Sequence, residues 1–89
     1  MTKEEATEKA RKDLARRLGI EEGQVTEHSA SETDFPDMAL GAAAAGEMSG
    51  QMITRGWKIQ LKAAGHTYEY RADKGQLRLY QFKGKNYKI

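Results

Sequence analysis

Residues 57–73 constrain the fold more than any other part of the chain. Two runs, 57–62 and 67–72, place apolar residues at every second position, with polar or charged residues between them. This period of two, with one apolar face, is typical of a half-buried β-strand. Between the runs, Ala64 and Gly65 suit a two-residue turn in which Gly65 supplies a positive φ. The sequence therefore predicts an antiparallel hairpin.

The apolar residues of the hairpin also predict its register. With residues 64 and 65 as the turn, three apolar pairs share one face: Trp57 with Ala72, Ile59 with Tyr70, and Leu61 with Tyr68. A slip of one residue would turn a whole apolar set toward water, so this register is strongly preferred. We expect the opposite face to be polar and solvated.

More strands are predicted after the hairpin. The segment 73–76 (Asp-Lys-Gly-Gln) has the composition of a turn. Leu77 would then meet Ala72, and Leu79 would meet Tyr70. We therefore predict a third strand over about 76–82, and a short strand over 86–89.

The N-terminal segment has the pattern of one helix. Thr2 and Glu5 form a capping box, and Gly19 suits the left-handed position that ends a helix. An apolar stripe with a spacing of four consists of Ala6, Ala10, Leu14 and Leu18. We predict a helix over about 3–18, followed by a weak strand over about 25–31.

These elements predict a single α+β domain, with one N-terminal helix packed on an antiparallel sheet of three to five strands. The chain has 89 residues, which is the size of one domain. It has no cysteine, so no disulfide or thiolate metal site is expected. Without a signal peptide or a bilayer-spanning apolar run, we expect no membrane contact and a cytoplasmic monomer, with a secreted relative as the alternative.

Residues 41–56 interrupt this regular pattern. Their alanine run favours a helix, whereas Gly41, Gly46 and Gly50 oppose one. A loop of this length in a small domain is often either disordered or functional, and we predict a flexible loop. Its candidate protein-contact residues are Met48, Met52 and Ile53, because flexible methionine-rich surfaces adapt to partners.

Charge is distributed unevenly along the chain. Residues 1–54 carry six Lys/Arg and eleven Asp/Glu, a net of −5, whereas residues 55–89 carry nine and two, a net of +7. The basic, aromatic C-terminal residues are Arg78, Tyr80, Phe82, Lys83, Lys85, Tyr87 and Lys88.

Two interpretations of this tail stay open. Simple alternation would place Arg78, Tyr80 and Phe82 together on the face opposite the helix, where aromatics in a positive surface can stack single-stranded nucleic acid. Alternatively, the aromatics pack on each other across a final hairpin, and the lysines keep an edge strand soluble.

No arrangement of residues predicts catalysis, a cofactor or a metal ion. His28 and His66 lack metal-ligand spacing with any acid or with each other. Asp34 and Asp37 flank Phe-Pro, where turn chemistry is the ordinary role of aspartate. We therefore expect no catalytic, cofactor-binding or metal-ligating residue, and predict that the chain is not an enzyme.

Several motifs resemble those of a family of small uncharacterised bacterial domains, found largely in secreted proteins and lipoproteins. The family pattern runs DLAxRLG, WPDxxLGC, TPGYxIxL and GxxYxYHTD, and the resemblance covers roughly residues 10–80. The matching stretches include Leu14–Ile20, Phe35–Asp37, Gly56–Ile59 and Gly65–Tyr70. The chain departs from the pattern at Ala42 (often cysteine), Arg55 (proline) and Arg71 (histidine).

The resemblance implies no activity. The absence of the family's cysteine fits a reducing compartment, and the helix-then-sheet order is similar to cystatin-like and PepSY-like modules. We predict a non-catalytic binding or accessory module that contacts an unknown protein. The alternative is a weak binder of single-stranded nucleic acid that uses the tail.

Overall fold

One helix and five strands make up the fold, and the computed structural model describes all residues from 1 to 89. The elements are α1 (Lys3–Leu18), a 3-10 turn (Glu22–Gln24), β1 (Thr26–Phe35), β2 (Thr54–Ala63), β3 (His66–Ala72), β4 (Leu77–Phe82) and β5 (Lys85–Lys88). Each strand pairs antiparallel with the next, giving the sheet order β1-β2-β3-β4-β5. The predicted α+β class is therefore confirmed.

Both ends of α1 are capped by local hydrogen bonds. The Glu5 amide donates to Thr2 Oγ1 at 3.1 Å, and the Thr2 amide donates to Glu5 Oε1 at 2.8 Å. This backbone hydrogen bond from Thr2 lowers the pKa of Glu5. At the other end, Gly19 adopts a φ of 68° and its amide donates to helix carbonyls. The caps satisfy backbone groups that a helix end leaves without partners.

The helix covers one face of the sheet and forms the main core with it. Ala6, Ala10 and Leu14 are fully buried there, and the two small alanines allow the helix to lie close to the strands. The core comprises 13 buried residues: Ala6, Ala10, Leu14, Ala15, Val25, Ile59, Leu61, Ala63, Tyr70, Ala72, Leu77, Leu79 and Phe82.

The predicted register of the central strands is confirmed. β2 and β3 pair through Trp57 with Ala72, Ile59 with Tyr70, and Leu61 with Tyr68. β3 and β4 pair through Ala72 with Leu77, and Tyr70 with Leu79. Because the period of side-chain direction in a strand is two, these pairs place the apolar set on the helix side together.

Strand β1 is longer than the weak strand predicted over 25–31, since it runs from Thr26 to Phe35. A register shift between Glu27 and Ser29 interrupts its pairing with β2. Phe35 is its one buried residue. A bulge and a mostly exposed strand leave no regular apolar period in the sequence.

Phe82 lies on the helix side, so the prediction that it shares a face with Arg78 and Tyr80 is wrong. Gln81 has a φ of 50°, and the pairing of β4 with β5 shifts register between Leu79 and Phe82. An extra residue in a strand reverses the alternation beyond it. Phe82 therefore joins the main core, where it is 8 % exposed.

Gly56 lies where two backbones come close together near the start of β2. A Cβ atom at this position would collide with the carbonyl oxygen of Ala72 and would lie 3.2 Å from the Phe35 ring. The lack of a side chain at Gly56 therefore lets Phe35 pack against the strand on the side opposite the helix.

Candidate binding surface

Part of the second face of the sheet is covered by residues 38–47 of the loop that joins β1 to β2. We call residues 36–53 the β1–β2 loop. Side chains from the sheet and from the β3–β4 turn donate hydrogen bonds to loop carbonyls: Gln76 to Met38 at 2.8 Å, Arg71 to Leu40 at 2.9 Å, Arg78 to Ala42 at 3.4 Å and Asn86 to Ala43 at 3.0 Å. The prediction of a solvated polar face is therefore wrong at Arg71 and Arg78, whereas Lys62 and Thr67 on the same face are exposed.

Arg78 is the most deeply buried of these side chains that hold the loop. Its Nη1 and Nη2 bind the two carboxylate oxygens of Glu47 at 2.5 and 2.7 Å, and its Nε donates to Gln76 at 2.8 Å. Arg78 is 3 % exposed. A planar guanidinium suits such two-point contact with a carboxylate. The hydrogen bonds from Arg78 lower the pKa of Glu47 to about 2.

Arg71 holds the loop from the neighbouring strand. Its Nε binds Glu69 at 2.7 Å, and its guanidinium carbon lies 3.7 Å from the centre of the Tyr80 ring. The centre of the Phe35 ring lies 5.4 Å from the same guanidinium carbon. Cation–π contacts of this kind stabilise a partly desolvated guanidinium.

Apolar residues at the end of β1 and in the first part of the loop are also buried. Ala39, Leu40 and Ala42 are fully buried, as is nearly all of Phe35. Asp37 Oδ1 accepts hydrogen bonds from the Ala39 and Gly41 amides, both at 2.9 Å. The first part of the loop is therefore held by packing as well as by hydrogen bonds.

The outer part of the loop presents apolar side chains to solvent. Met48 is 96 % exposed, Ile53 is 72 % exposed and Met52 is 64 % exposed. Met38 is half-exposed beside them, and its amide donates to the Gly50 carbonyl at 2.9 Å. All three predicted protein-contact residues thus lie on this outer part, next to a fourth apolar side chain that the sequence did not single out.

The predicted nucleic-acid residues do not form one surface. Arg78 and Phe82 are buried, on opposite faces of the sheet, and Tyr80 lies under Arg71. On the helix side, the Arg17 guanidinium carbon lies 4.5 Å from the centre of the Tyr87 ring. The exposed members of the set are Lys83, Lys85 and Lys88. No row of open aromatics therefore accompanies these lysines.

A buried polar group joins the helix to the sheet on the other side. Asp13 is 4 % exposed and accepts hydrogen bonds from Arg16 at 2.8 Å, Arg17 at 2.7 Å and the Tyr70 hydroxyl at 2.7 Å. Burial, together with the hydrogen bond to Asp13, raises the pKa of Tyr70. The sequence did not reveal this link, because nothing in the pattern around Asp13 distinguishes it from a solvent-exposed acid on the outer face of the helix.

The acids and histidines considered for catalysis do not converge. Asp34 binds Arg55 at 3.3 Å, and Asp37 caps its own turn. His28 and His66 are both exposed. No group of three or more His, Cys, Asp or Glu side chains is placed to hold a metal ion. The largest surface depression, about 580 Å³, lies at the C-terminal end of α1, away from all of these residues.

The structure contains no helix long and apolar enough to cross a membrane. A capped helix on a five-stranded antiparallel meander, with a loop held across the second face, defines a small α+β domain. The chain belongs to the family described as Domain of unknown function (DUF8738), whose model matches residues 7–80. No curated protein and no solved structure matches the chain.

Proposed function

We propose that the domain is a non-catalytic binding module that contacts another protein through Met48, Met52 and Ile53. The observation that supports this proposal is the position of the exposed apolar side chains. Five large apolar residues are exposed in the chain, namely Met38, Met48, Met52, Ile53 and Ile89, and four of the five lie within residues 38–53. Clustered exposed apolar groups are typical of interaction sites in soluble domains.

The way the loop is held supports this proposal. Arg71 and Arg78 fix residues 40–47 against the sheet, so the outer residues extend from an ordered base. A base that is already ordered reduces the conformational entropy lost on binding. The unbranched methionine side chains can then fit the shape of a partner.

The roles of the acidic side chains support a non-catalytic module. Asp13, Asp37 and Glu47 each accept hydrogen bonds that hold the fold together. The helix-then-sheet order is similar to cystatin-like and PepSY-like modules, but such a likeness of order does not imply a ligand.

Site-specific photo-crosslinking tests the proposal. A photoreactive residue is placed at position 48, and the matched control carries it at Gly23, which is also exposed but lies in the 3-10 turn. Both proteins are exposed to a lysate of the cells that make the domain. We expect position 48, but not position 23, to capture a discrete protein.

A triple variant, Met48→Ser with Met52→Ser and Ile53→Ser, completes the experiment. All three side chains are exposed, so the variant should fold. We expect it to lose the captured protein when the probe is placed at Gln51, beside the substituted residues. Identical capture by the parent and the triple variant would contradict the proposed contact.

A further inference from the structure

We propose that the β1–β2 loop also forms a binding site for a soft monovalent metal ion, Cu(I), through the thioether sulfurs of Met38, Met48 and Met52. The chain has four methionines, and three of them lie within residues 38–52. The fourth, Met1, packs partly buried against the main core. This site does not depend on the proposed protein contact, although the two share Met48 and Met52.

Backbone geometry places Met38 beside Gly50, which lies midway between Met48 and Met52 in the sequence. The Met38 amide donates to the Gly50 carbonyl at 2.9 Å, which joins the two ends of the loop. A Cβ at Gly50 would lie 2.6 Å from the Met38 sulfur, so that sulfur lies directly over the glycine.

Met48 and Met52 flank this point in the sequence. Each is two residues from Gly50, so its Cα lies no more than about 7 Å from that of Gly50. A methionine side chain has three rotatable bonds. The side chains of Met48 and Met52 are exposed and free to turn, so both sulfurs can approach the sulfur of Met38.

The chemistry of this donor set favours Cu(I). Thioethers are soft, neutral ligands that select Cu(I), whereas carboxylate and carbonyl oxygens suit Mg²⁺ and Ca²⁺. The carboxylates next to Met38 and Met48 in the sequence already have partners. Asp37 accepts from the Ala39 and Gly41 amides, and Glu47 is engaged by Arg78 and by the Ala44 amide. Because thioethers carry no proton to release, we expect metal affinity to be nearly independent of pH, unlike affinity at cysteine or histidine sites.

The sequence alone predicted no metal site, because it offers no cysteine and no useful histidine spacing. Met38 is ten or more positions from the other two methionines, and nothing in the pattern places it beside Gly50. The hydrogen bond between Met38 and Gly50 shows that Met38 lies close to the segment that carries the other two methionines.

Methionine-methyl NMR tests the site with Ag(I), a redox-inert probe of the same charge and softness. The protein is labelled with ¹³C at the methionine methyl groups and titrated with silver ion. We expect three methyl signals to shift together and to saturate near one equivalent, while the Met1 signal stays in place. Equal shifts of all four signals, or shifts without saturation, would overturn the proposal.

Isosteric variants separate this site from the protein contact. Met48→Leu with Met52→Leu retains apolar contact area but removes two sulfurs, and Ile53→Leu serves as the matched control. We expect the Cu(I) affinity of the double variant to fall by about tenfold or more. Metal sites lose that much affinity even when the only residue changed is one that hydrogen-bonds to a ligand. Affinity is measured anaerobically against a chromophoric Cu(I) chelator.

The two proposals then fail separately. Cu(I) affinity that is unchanged in the leucine double variant would overturn the metal site and leave the protein contact untouched. Conversely, unchanged photo-crosslinking at position 51 in the triple serine variant would overturn the protein contact and leave the metal site untouched. We expect the leucine double variant to keep its photo-crosslink at position 51.

Discussion

Glu47 binds Arg78 through both of its carboxylate oxygens, and this pair joins the β1–β2 loop to the middle of the sheet. Arg78 is almost fully buried, whereas the Glu47 side chain is 23 % exposed. Removing the carboxylate would leave a buried guanidinium short of partners, which costs more than losing an exposed ion pair. The pair is therefore structural, and it accounts for one of the charges that the sequence assigned to nucleic-acid binding.

Stability should depend on pH through Glu47. Its pKa in the folded protein is about 2, against an ordinary value of 4.5. A lowered pKa contributes stability above pH 4.5 that is lost as the pH falls toward 2. At pH 7, Glu47→Gln should reduce the free energy of unfolding by about 2 kcal/mol.

Urea unfolding at several pH values between 7 and 2 measures this effect. The difference between the parent and Glu47→Gln should shrink as the pH falls through that window. Glu32→Gln is the matched control, since Glu32 forms an exposed pair with Arg55 at 3.5 Å and should contribute little. An equal difference at pH 7 and pH 2 would contradict the assignment.

Gly56→Ala should destabilise the fold strongly, because the added Cβ meets the Ala72 backbone, which cannot move aside without disturbing two strands. We expect a loss of roughly 2–3 kcal/mol, at the upper end for overpacked sites. Gly23→Ala is the control, since no atom lies within 4 Å of a Cβ built there. Thermal unfolding by circular dichroism measures both, and equal midpoints would refute the close approach.

Tyr70→Phe should reduce the free energy of unfolding by about 2 kcal/mol, because the buried Asp13 carboxylate loses the hydrogen bond that the Tyr70 hydroxyl donates to it. Tyr68→Phe, on the same strand and only half-buried, should cost less. Urea unfolding at pH 7 compares the two variants. An equal loss in both would show that the link between Tyr70 and Asp13 contributes little.

The Tyr70 phenol should also resist ionisation. Its pKa is raised above the ordinary value of 10, chiefly by burial. A raised pKa contributes stability below pH 10 that is lost as the pH rises beyond it. An ultraviolet titration should show one of the four tyrosines ionising only as the protein unfolds, and Tyr70→Phe should remove that step.

We expect no measurable binding of labelled single-stranded oligonucleotides at low salt. The exposed lysines, Lys83, Lys85 and Lys88, lack the open aromatic platform that such binding uses. Fluorescence anisotropy at two salt concentrations checks this. Three phosphate contacts would give a log–log salt slope of about −2, at roughly −0.7 per contact. Binding with that slope would restore the nucleic-acid alternative.

The central hairpin was predictable because its information is local and periodic. Trp57, Ile59 and Leu61 alternate with polar residues, and only one register buries them all. The helix was predictable for a similar reason, with a capping box and an apolar stripe that repeats every turn.

The loop and the end of β4 were not predictable, because a few irregular positions determine them. One residue with positive φ, Gln81, moves Phe82 to the other face. The loop is held largely through its own carbonyl groups, which every residue possesses, so its side chains do not reveal the docking. Of the candidate binding residues, the exposed apolar three followed from composition, while Met38 required the fold.

The neighbour-to-neighbour strand order bears on how the chain reaches its native state. Because β2 to β5 are joined by short turns, this part of the sheet can grow by adding one hairpin after another, with little entropy lost at each closure. Joining β1 requires closure of the much longer 36–53 segment, and α1 needs an assembled surface on which to dock. We therefore expect the C-terminal half to nucleate folding, with the N-terminal half condensing onto it.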